Sequence, residues 1–258
     1  MTPLPACAER GEGARTVVFL HGIGADHRVF DEQLETFAKG GRALAWDMPG
    51  YGDSPPLAAM TFEGLAEALR ALLDERRVER GVIVGHSMGG MVAQELAARH
   101  PERVAALALV ATSAAFGGDG EWQRRFLADR LRPLDEGKTP ADIAPALVRG
   151  MIGDDPDPRA IDRAVACMSS VPAKTYRAAL HALVTFDRRA SLATVRCPTL
   201  VLAGERDRVA SPVVMQRMAE AISGARYRML PGVGHLANLE RPAAFDAVLA
   251  EFLDAIPS

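Results

Sequence analysis

The chain has 258 residues, which is enough for one α/β domain that carries an insertion. Hydrophobic residues make up 48% of it and charged residues 24%, as is ordinary for a globular protein. The formal charge of −3 favours neither a nucleic-acid-binding surface nor an acidic membrane partner. No apolar run approaches the roughly 18 residues that a membrane span requires. The sequence therefore predicts neither nucleic acid nor membrane as a partner.

The cysteines and the first residues bear on the compartment. Cys7, Cys167 and Cys197 are odd in number, widely spread and without metal-ligand spacing, so we interpret them as free thiols. The first residues lack the basic region and apolar stretch of a secretory signal. These features predict a cytoplasmic protein, and no metal or organic cofactor is implied. The oligomeric state is not indicated.

Short apolar runs alternate with helical patterns through the first half of the chain. Residues 1–15 predict a short hairpin or an edge strand. Further strands are predicted at residues 16–20, 42–46, 82–84 and 104–110. Helices are predicted near residues 29–37, from a capping Thr61 to about Arg76, and from Met88 onward. This alternation is typical of a mostly parallel sheet with helices on both faces.

Residues 114 to about 190 break this alternation. They contain no convincing strand, and helical patterns lie near residues 121–131, 140–152, 158–169 and 172–184. The predicted joints contain Pro133, Pro140, Pro156, Pro158 and Pro172. Strands at 199–203 and 227–230 and helices at 213–222 and 243–253 then resume the alternation. We predict an α/β core of residues 1–113 and 191–258, interrupted by a helical cap at residues 114–190.

A serine lies between a predicted strand and a predicted helix, in the segment Gly85-His86-Ser87-Met88-Gly89. The pattern G-x-S-x-G is typical of a sharp turn that lifts a serine hydroxyl clear of a sheet. Its glycines avoid collisions with the neighbouring strand and helix. Ser87 is therefore the candidate nucleophile, and the alternative is an ordinary small turn residue.

A serine nucleophile needs a base, and the base needs an orienting carboxylate. His235 follows the last predicted strand, at the end of the sheet where open α/β folds bind ligands. Asp207 follows the strand before it and is the candidate carboxylate. Glu205 is the nearest rival, but we expect it to bond locally. Asp47 is a more distant rival, which we expect to lock the loop at Pro49 and Gly50.

The other histidines are expected to have structural or surface roles. The His86 side chain should point away from the nucleophile that follows it. His21 lies inside a turn, where we expect it to brace loops by hydrogen bonds. His100 ends the helix after Ser87, while His27 and His181 are expected on the helical or loop surface.

A tetrahedral intermediate requires hydrogen-bond donors aimed at its oxygen. The backbone N–H of Met88 is one candidate, because it lies at a helix N-terminus, where negative charge is favoured. The second candidate is the N–H of Ile23, in the His21-Gly22-Ile23 loop after the first predicted parallel strand. Both roles belong to the backbone, so these two side chains could differ without changing the donors.

The order Ser87, Asp207, His235, with the His-Gly loop, the loop 47–54 and the cap, resembles the α/β-hydrolase superfamily over essentially the whole chain. The resemblance implies an eight-stranded, mostly parallel sheet. Residues 234–245 are similar to the C-terminal signature of 3-oxoadipate enol-lactonases and related small carboxylesterases. The loop 47–50 is instead similar to that of general esterases and of hydrolases that cleave carbon–carbon bonds. The latter usually carry an aromatic residue where this chain has Leu236.

These observations favour a serine hydrolase that cleaves a small carboxylic ester or lactone through an acyl-enzyme intermediate. The alternatives are a 3-oxoadipate enol-lactonase, and a carbon–carbon bond hydrolase or perhydrolase that uses the same triad. A non-catalytic ligand receptor is a third hypothesis, because the fold hosts such proteins. An intact triad disfavours it.

The cap is expected to determine the substrate. Its large apolar residues are candidates for the pocket lining: Phe116, Trp122, Phe126, Met151, Met168 and Phe186. Arg124 and Arg125 lie beside Trp122 and Phe126 on one predicted helix. Because adjacent residues point about 100° apart, at most one of these arginines could face inward, where it would bind a substrate carboxylate. The alternative places both arginines on the solvated face.

Overall fold

A single sheet of seven strands organises the structure, a computed structural model that describes residues 4–118 and 120–256. The strands are β1 (Cys7–Arg10), β2 (Thr16–Leu20), β3 (Arg42–Trp46), β4 (Gly81–His86), β5 (Val104–Val110), β6 (Thr199–Gly204) and β7 (Arg226–Leu230). Their order is β1-β3-β2-β4-β5-β6-β7. Only β1 runs antiparallel to its neighbour, and the other neighbouring pairs are parallel.

The α/β fold and the mostly parallel sheet are confirmed, but the expected eighth strand is not found among the described residues. Residues before β2 contribute one edge strand of four residues, β1, which pairs with β3. The turn after Arg10 leads directly into β2. The sheet therefore has one antiparallel strand at this edge.

Ten α-helices surround the sheet in the described part of the chain. Six belong to the core: α1 (Asp31–Phe37), α2 (Phe62–Glu75), α3 (Met88–Arg99), α8 (Pro212–Ala221), α9 (Ala237–Glu240) and α10 (Pro242–Asp254). Alternate residues of β2 supply two separate hydrophobic clusters, Val18 and Leu20 in one, Val17 and Phe19 in the other. The sheet therefore has a buried apolar layer on each face.

The other four helices lie between β5 and β6. They are α4 (Gly120–Asp135), α5 (Pro140–Met151), α6 (Pro158–Ser169) and α7 (Ala173–Leu183). Pro133 was predicted at a joint, and this is wrong, because it lies inside the last turn of α4. A proline lacks only its own N–H, and the helix ends soon after it, so the perturbation is confined to that turn.

The chain enters and leaves this helical segment at adjacent points. Ala115 and Asp187 form an isolated antiparallel bridge. The Phe116 N–H donates to the Phe186 carbonyl (3.0 Å), and the Arg188 N–H donates to the Ala114 carbonyl (2.7 Å). The two ends of the segment are therefore held together by backbone hydrogen bonds beside the sheet.

Local sequence accounts for several helix starts. The Thr61 hydroxyl accepts a hydrogen bond from the Gly64 N–H (3.0 Å), as the predicted cap requires. Thr139 and Asp142 form a capping box at α5. Pro212 and Pro242 occupy the first turns of their helices, where a missing N–H costs nothing. Within residues 4–118 and 120–256, no helix has both the length and the apolar character to cross a membrane.

Candidate active site

Ser87 lies between β4 and α3 in a backbone conformation that few non-glycine residues adopt, with φ 54° and ψ −122°. Such a conformation costs on the order of 1–3 kcal/mol and must be enforced by its surroundings. Two hydrogen bonds do this. The Ser87 N–H donates to the Val110 carbonyl (2.9 Å), and the Thr112 hydroxyl donates to the Ser87 carbonyl (2.7 Å).

Two glycines allow the chain to approach Ser87 closely. A Cβ atom on Gly89 would lie 2.2 Å from the Leu20 carbonyl oxygen, so α3 can meet β2 only without a side chain there. A Cβ atom on Gly22 would lie 2.7 Å from the Ser87 Cβ and 3.2 Å from its Oγ. The loop after β2 therefore packs directly against the Ser87 side chain.

His235 and Asp207 form a buried pair. The His235 Nδ1 lies 2.8 Å from the Asp207 Oδ2, and both side chains are at most 4% exposed. The other carboxylate oxygen, Oδ1, accepts hydrogen bonds from the N–H groups of Val209 (2.7 Å) and Ala210 (2.9 Å). Burial alone would raise the pKa of Asp207, but His235 and these two donors outweigh it and lower that pKa. Asp207 is therefore a fully bonded carboxylate beside the ring of His235.

The two rival carboxylates lie elsewhere. Glu205 pairs locally with Arg206 (4.0 Å), and it also accepts a hydrogen bond from the Gly232 N–H (2.9 Å) of the neighbouring loop. Asp47 accepts from the Asp53 N–H (3.2 Å), which fixes the loop after β3 as predicted. It also accepts from His27 Nδ1 (2.8 Å), so His27 is a partly buried partner of Asp47 and not a surface residue. Neither rival contacts His235.

Glu240 fixes the loop that carries His235 by hydrogen bonds, and it is not among the residues predicted from the sequence. Its buried carboxylate accepts hydrogen bonds from the N–H groups of Gly234 (3.0 Å), Leu236 (2.9 Å) and Gly153 (2.7 Å). The first two donors flank His235, and the third belongs to the segment after α5. Nothing in the spacing of Glu240 distinguished it from the many surface carboxylates of the chain.

His86 also contacts the His235 segment, which its expected orientation did not suggest. Its Nε2 lies 2.8 Å from the His235 carbonyl oxygen, and the two imidazole rings are 4.9 Å apart. Burial lowers the pKa of His86 to about 3, so its ring is neutral at physiological pH. A neutral ring that donates from Nε2 satisfies the His235 carbonyl.

The predicted backbone donors belong to Met88, which follows Ser87, and to Ile23, in the loop after β2. Within the described residues, neither the Ile23 N–H nor the Met88 N–H has a hydrogen-bond acceptor. Ile23 lines the same cavity as Ser87 and His235. His21 braces the Ile23 loop as predicted, because its Nε2 accepts from the Met48 N–H (2.9 Å) and its Nδ1 lies 2.9 Å from the Gly22 oxygen.

Ser87, His235 and Ile23 line a cavity between the core and the cap, with one part of about 50 Å³ beside Thr112 and Ala210 and two further lobes. The larger, here called the Arg130 lobe, has a volume of about 100 Å³. Its remaining walls include Phe116, Phe126, Arg130, Leu147, Tyr176 and Leu180. The smaller, the Asn238 lobe, has about 30 Å³ and is walled by Gly24, Val29, Val148, Asn238 and Leu239. The cap thus supplies most of the walls of the larger lobe.

Part of the predicted pocket lining is found in this cavity. Phe116, Phe126, Met151 and Met168 line it. Trp122 does not line the Arg130 lobe; it stacks on Phe126 with ring centroids 5.4 Å apart and is 37% exposed. Phe186 is buried against Phe62, 4.5 Å between centroids.

The stated alternative, with both candidate arginines on the solvated face, agrees with the structure, and a third arginine of α4 lines the cavity. Arg124 and Arg125 are both exposed, whereas Arg130 lines the cavity. Residues four apart share a helix face, so Arg130 follows Phe126 inward while the two earlier arginines are turned toward solvent. The i,i+4 spacing of Phe126 and Arg130 was the signal that could have identified it.

Comparison with known proteins identifies the family of the chain. The family model for the α/β hydrolase fold matches residues 15–242, and the chain belongs to this family of hydrolases. It is 25% identical to 3-oxoadipate enol-lactonase 1 of Acinetobacter baylyi, over 95% of this chain and 91% of the relative. It is 31% identical to the pimeloyl-[acyl-carrier protein] methyl ester esterase of Chromobacterium violaceum, over 92% and 94% of the two chains.

Solved structures of an esterase and of an enol-lactonase are similar to this chain over nearly its whole length. A malate-bound thermophilic esterase from Thermogutta terrifontis superposes with a TM-score of 0.89 at 28% identity, covering 98% of this chain and 94% of that one. The enol-lactonase from Burkholderia xenovorans superposes with a TM-score of 0.86 at 27% identity, covering 97% and 96%.

Proposed function

We propose that this hydrolase cleaves a small carboxylic ester or lactone through an acyl-enzyme intermediate on Ser87. The observation that carries the proposal is the buried hydrogen bond between His235 Nδ1 and Asp207, in the cavity wall that also contains Ser87. A histidine bonded through Nδ1 to a carboxylate presents its Nε2 as a base for a serine hydroxyl.

In the first half of the proposed reaction, the Ser87 oxygen attacks the substrate carbonyl carbon while its proton passes to His235 Nε2. Asp207 holds the tautomer of the imidazole and stabilises the imidazolium that forms. The carbonyl oxygen becomes an oxyanion, which we assign to the N–H groups of Met88 and Ile23. His235 then returns the proton to the alcohol oxygen as the carbon–oxygen bond breaks.

In the second half, a water molecule repeats these steps on the acyl-enzyme. His235 takes a proton from the water, whose oxygen attacks the ester carbon on Ser87. The tetrahedral intermediate collapses, the acid leaves, and the proton returns to the Ser87 oxygen. For a lactone the alcohol and the acid remain one molecule, so the product is a hydroxy acid, or a keto acid where the lactone is an enol-lactone.

The named relatives support an ester or lactone rather than another bond. Two of them act on an enol-lactone and on a methyl ester by name, and a structural neighbour is an esterase. We further propose a cytoplasmic location, because all three cysteines are free thiols. A small molecule is the partner that this largely apolar cavity favours.

The test combines covalent labelling with turnover of p-nitrophenyl esters of short acids. A fluorophosphonate should add one adduct to Ser87, found by mass spectrometry, and nitrophenol should be released in a burst. Ser87→Ala should lose both the adduct and on the order of 10⁶ in turnover. Ser223→Ala, at an exposed serine, is the matched control and should behave like wild type. A folded Ser87→Ala protein that retained a tenth of the wild-type rate would contradict the proposal.

A further inference from the structure

Arg130 places a cation in the wall of an otherwise largely apolar lobe. Its guanidinium lies over the Phe126 ring, 5.6 Å from the centroid, on the face of α4 that meets the cavity. Among the described residues, no carboxylate lies within ion-pairing distance of Arg130. Within the described residues, the Arg130 guanidinium therefore contacts the face of the Phe126 ring and has no carboxylate partner.

Three other arginines in and around the cap are paired with carboxylates. Arg177 pairs with Asp135, Arg159 with Asp157, and Arg188 with Glu95. Such pairing is the common state of an arginine near a protein surface, since it satisfies the guanidinium donors. Arg130 differs from them in facing the cavity that also contains Ser87.

The Tyr176 hydroxyl is a second polar group in this lobe. Tyr176 comes from α7, which packs against α4, and the whole residue is only 3% exposed. No hydrogen bond of its hydroxyl to another described residue is formed. Burial raises the pKa of Tyr176, and the nearby Arg130 charge opposes that rise, so the hydroxyl stays protonated and can donate.

We propose that Arg130, with Tyr176, binds a carboxylate group of the substrate in the Arg130 lobe. The substrate would then be an ester or lactone with a free carboxylate, separated by an apolar segment from the carbonyl that Ser87 attacks. Arginine suits this role because its planar fork matches the two carboxylate oxygens. The apolar walls would exclude water and strengthen the ion pair.

This inference names the substrate class of the proposed function and rests on it, so its test needs matched substrates and a separate binding measurement. One substrate pair carries the charge on the acyl side: p-nitrophenyl half-esters of linear dicarboxylic acids, against the corresponding half-ester amides. A second pair carries it on the alcohol side: acetate esters of ω-hydroxy acids, against those of the ω-hydroxy amides. Calorimetry with the free dicarboxylic acids and their monoamides measures carboxylate binding without turnover.

The variants are Arg130→Met, Arg130→Lys and Tyr176→Phe, with Arg132→Met as the matched control. Arg132 is exposed on the same helix. For one substrate pair, Arg130→Met should lower the ratio of kcat/KM for the charged ester to that for the neutral ester by roughly 10- to 100-fold, as expected for a charged hydrogen bond. Arg130→Lys should restore part of this ratio, and Arg132→Met should not change it. Dicarboxylate binding should weaken in parallel.

A wild-type protein that prefers the neutral member of both pairs would overturn the inference. So would a ratio and a dicarboxylate affinity that Arg130→Met leaves unchanged. If none of the esters is hydrolysed but dicarboxylates bind in an Arg130-dependent way, the proposed function fails while the carboxylate site stands. If the esters are hydrolysed but neither the kcat/KM ratio nor dicarboxylate binding depends on Arg130, the carboxylate site fails while the proposed function stands.

Discussion

His86 Nε2 lies 2.8 Å from the carbonyl oxygen of His235, so the residue before the proposed nucleophile supports the backbone of the proposed base. The two residues are 149 positions apart in the chain. The contact ties the end of β4 to the loop after β7, across β5 and β6 of the sheet. The relative positions of Ser87 and His235 thus depend on a buried imidazole.

This contact predicts that acid destabilises the protein through His86. The pKa of His86 is about 3 in the folded state, below the ordinary value near 6.5, so the unfolded state takes up the proton first as pH falls. Its contribution to stability is complete above pH 6.5 and is lost progressively toward pH 3. Between about pH 6 and 4.5 the cost should approach about 1.4 kcal/mol per pH unit.

The measurement is urea unfolding of His86→Gln across that pH range, with His181→Gln, at an exposed histidine, as the control. The amide introduced at position 86 can still donate to the His235 carbonyl but does not titrate. The free energy of unfolding of His86→Gln should therefore fall less steeply with acid than that of wild type or of the control. Equal slopes in all three proteins would show that His86 titrates normally.

Asp207→Asn should lower kcat by about 10⁴-fold, because an amide cannot stabilise the imidazolium and favours the wrong tautomer of His235. Glu205→Gln is the matched control, since its carboxylate interacts with the Gly232 N–H and Arg206 rather than with His235. It should retain wild-type turnover within a few-fold. A severe loss in Glu205→Gln together with near-normal Asp207→Asn would transfer the role of the acid to Glu205.

Gly22→Ala should impair turnover of even the smallest ester. Its new methyl group would lie 2.7 Å from the Ser87 Cβ, a contact that no rotation of the Ser87 side chain can relieve. Either the loop that carries Ile23 or the turn that carries Ser87 must move, and a displacement of about 1 Å can cost on the order of 100-fold in rate. The control is Gly40→Ala, whose added Cβ atom would meet no other atom within 4 Å. Turnover of a short p-nitrophenyl ester should be unchanged in this control.

Glu240→Gln should lower both stability and turnover. An amide keeps one acceptor oxygen, but its NH₂ group would face a backbone N–H that the carboxylate now satisfies. Leaving a buried donor unsatisfied costs about 1–3 kcal/mol. Thermal unfolding and ester turnover of Glu240→Gln should both decline relative to Glu251→Gln, whose carboxylate is exposed. A loss of turnover without any loss of stability would contradict the proposed structural role of Glu240.

The sequence was most informative where local rules determine structure. β3 and β5 lie at the predicted residues, and Thr61 caps α2 as its side chain chemistry suggests. Helices α5 and α6 also begin at the predicted prolines, Pro140 and Pro158. Periodicity and capping act within a few residues, so a single sequence contains them.

Contacts between distant segments could not be predicted in this way. The bonds from Glu240 to Gly153 and from His27 to Asp47 depend on how loops meet in three dimensions. The orientation of α4 was a different case. Two arginines beside Trp122 and Phe126 drew the prediction to the start of the helix, although the face that contains Phe126 continues to Arg130. Packing decided which face is inward.

The backbone bridge between Ala115 and Asp187 has a consequence for how this protein can change over evolution. The chain leaves the core at Ala115 and returns to it at Asp187, and these two residues are paired. The four helices between them are therefore one insertion whose two ends are fixed together. Lengthening or replacing such a loop adds little entropic cost, since that cost grows only with the logarithm of its length. New substrate preferences can therefore arise when the helices between Ala115 and Asp187 are replaced, while Ser87, Asp207 and His235 keep their positions at the ends of the strands.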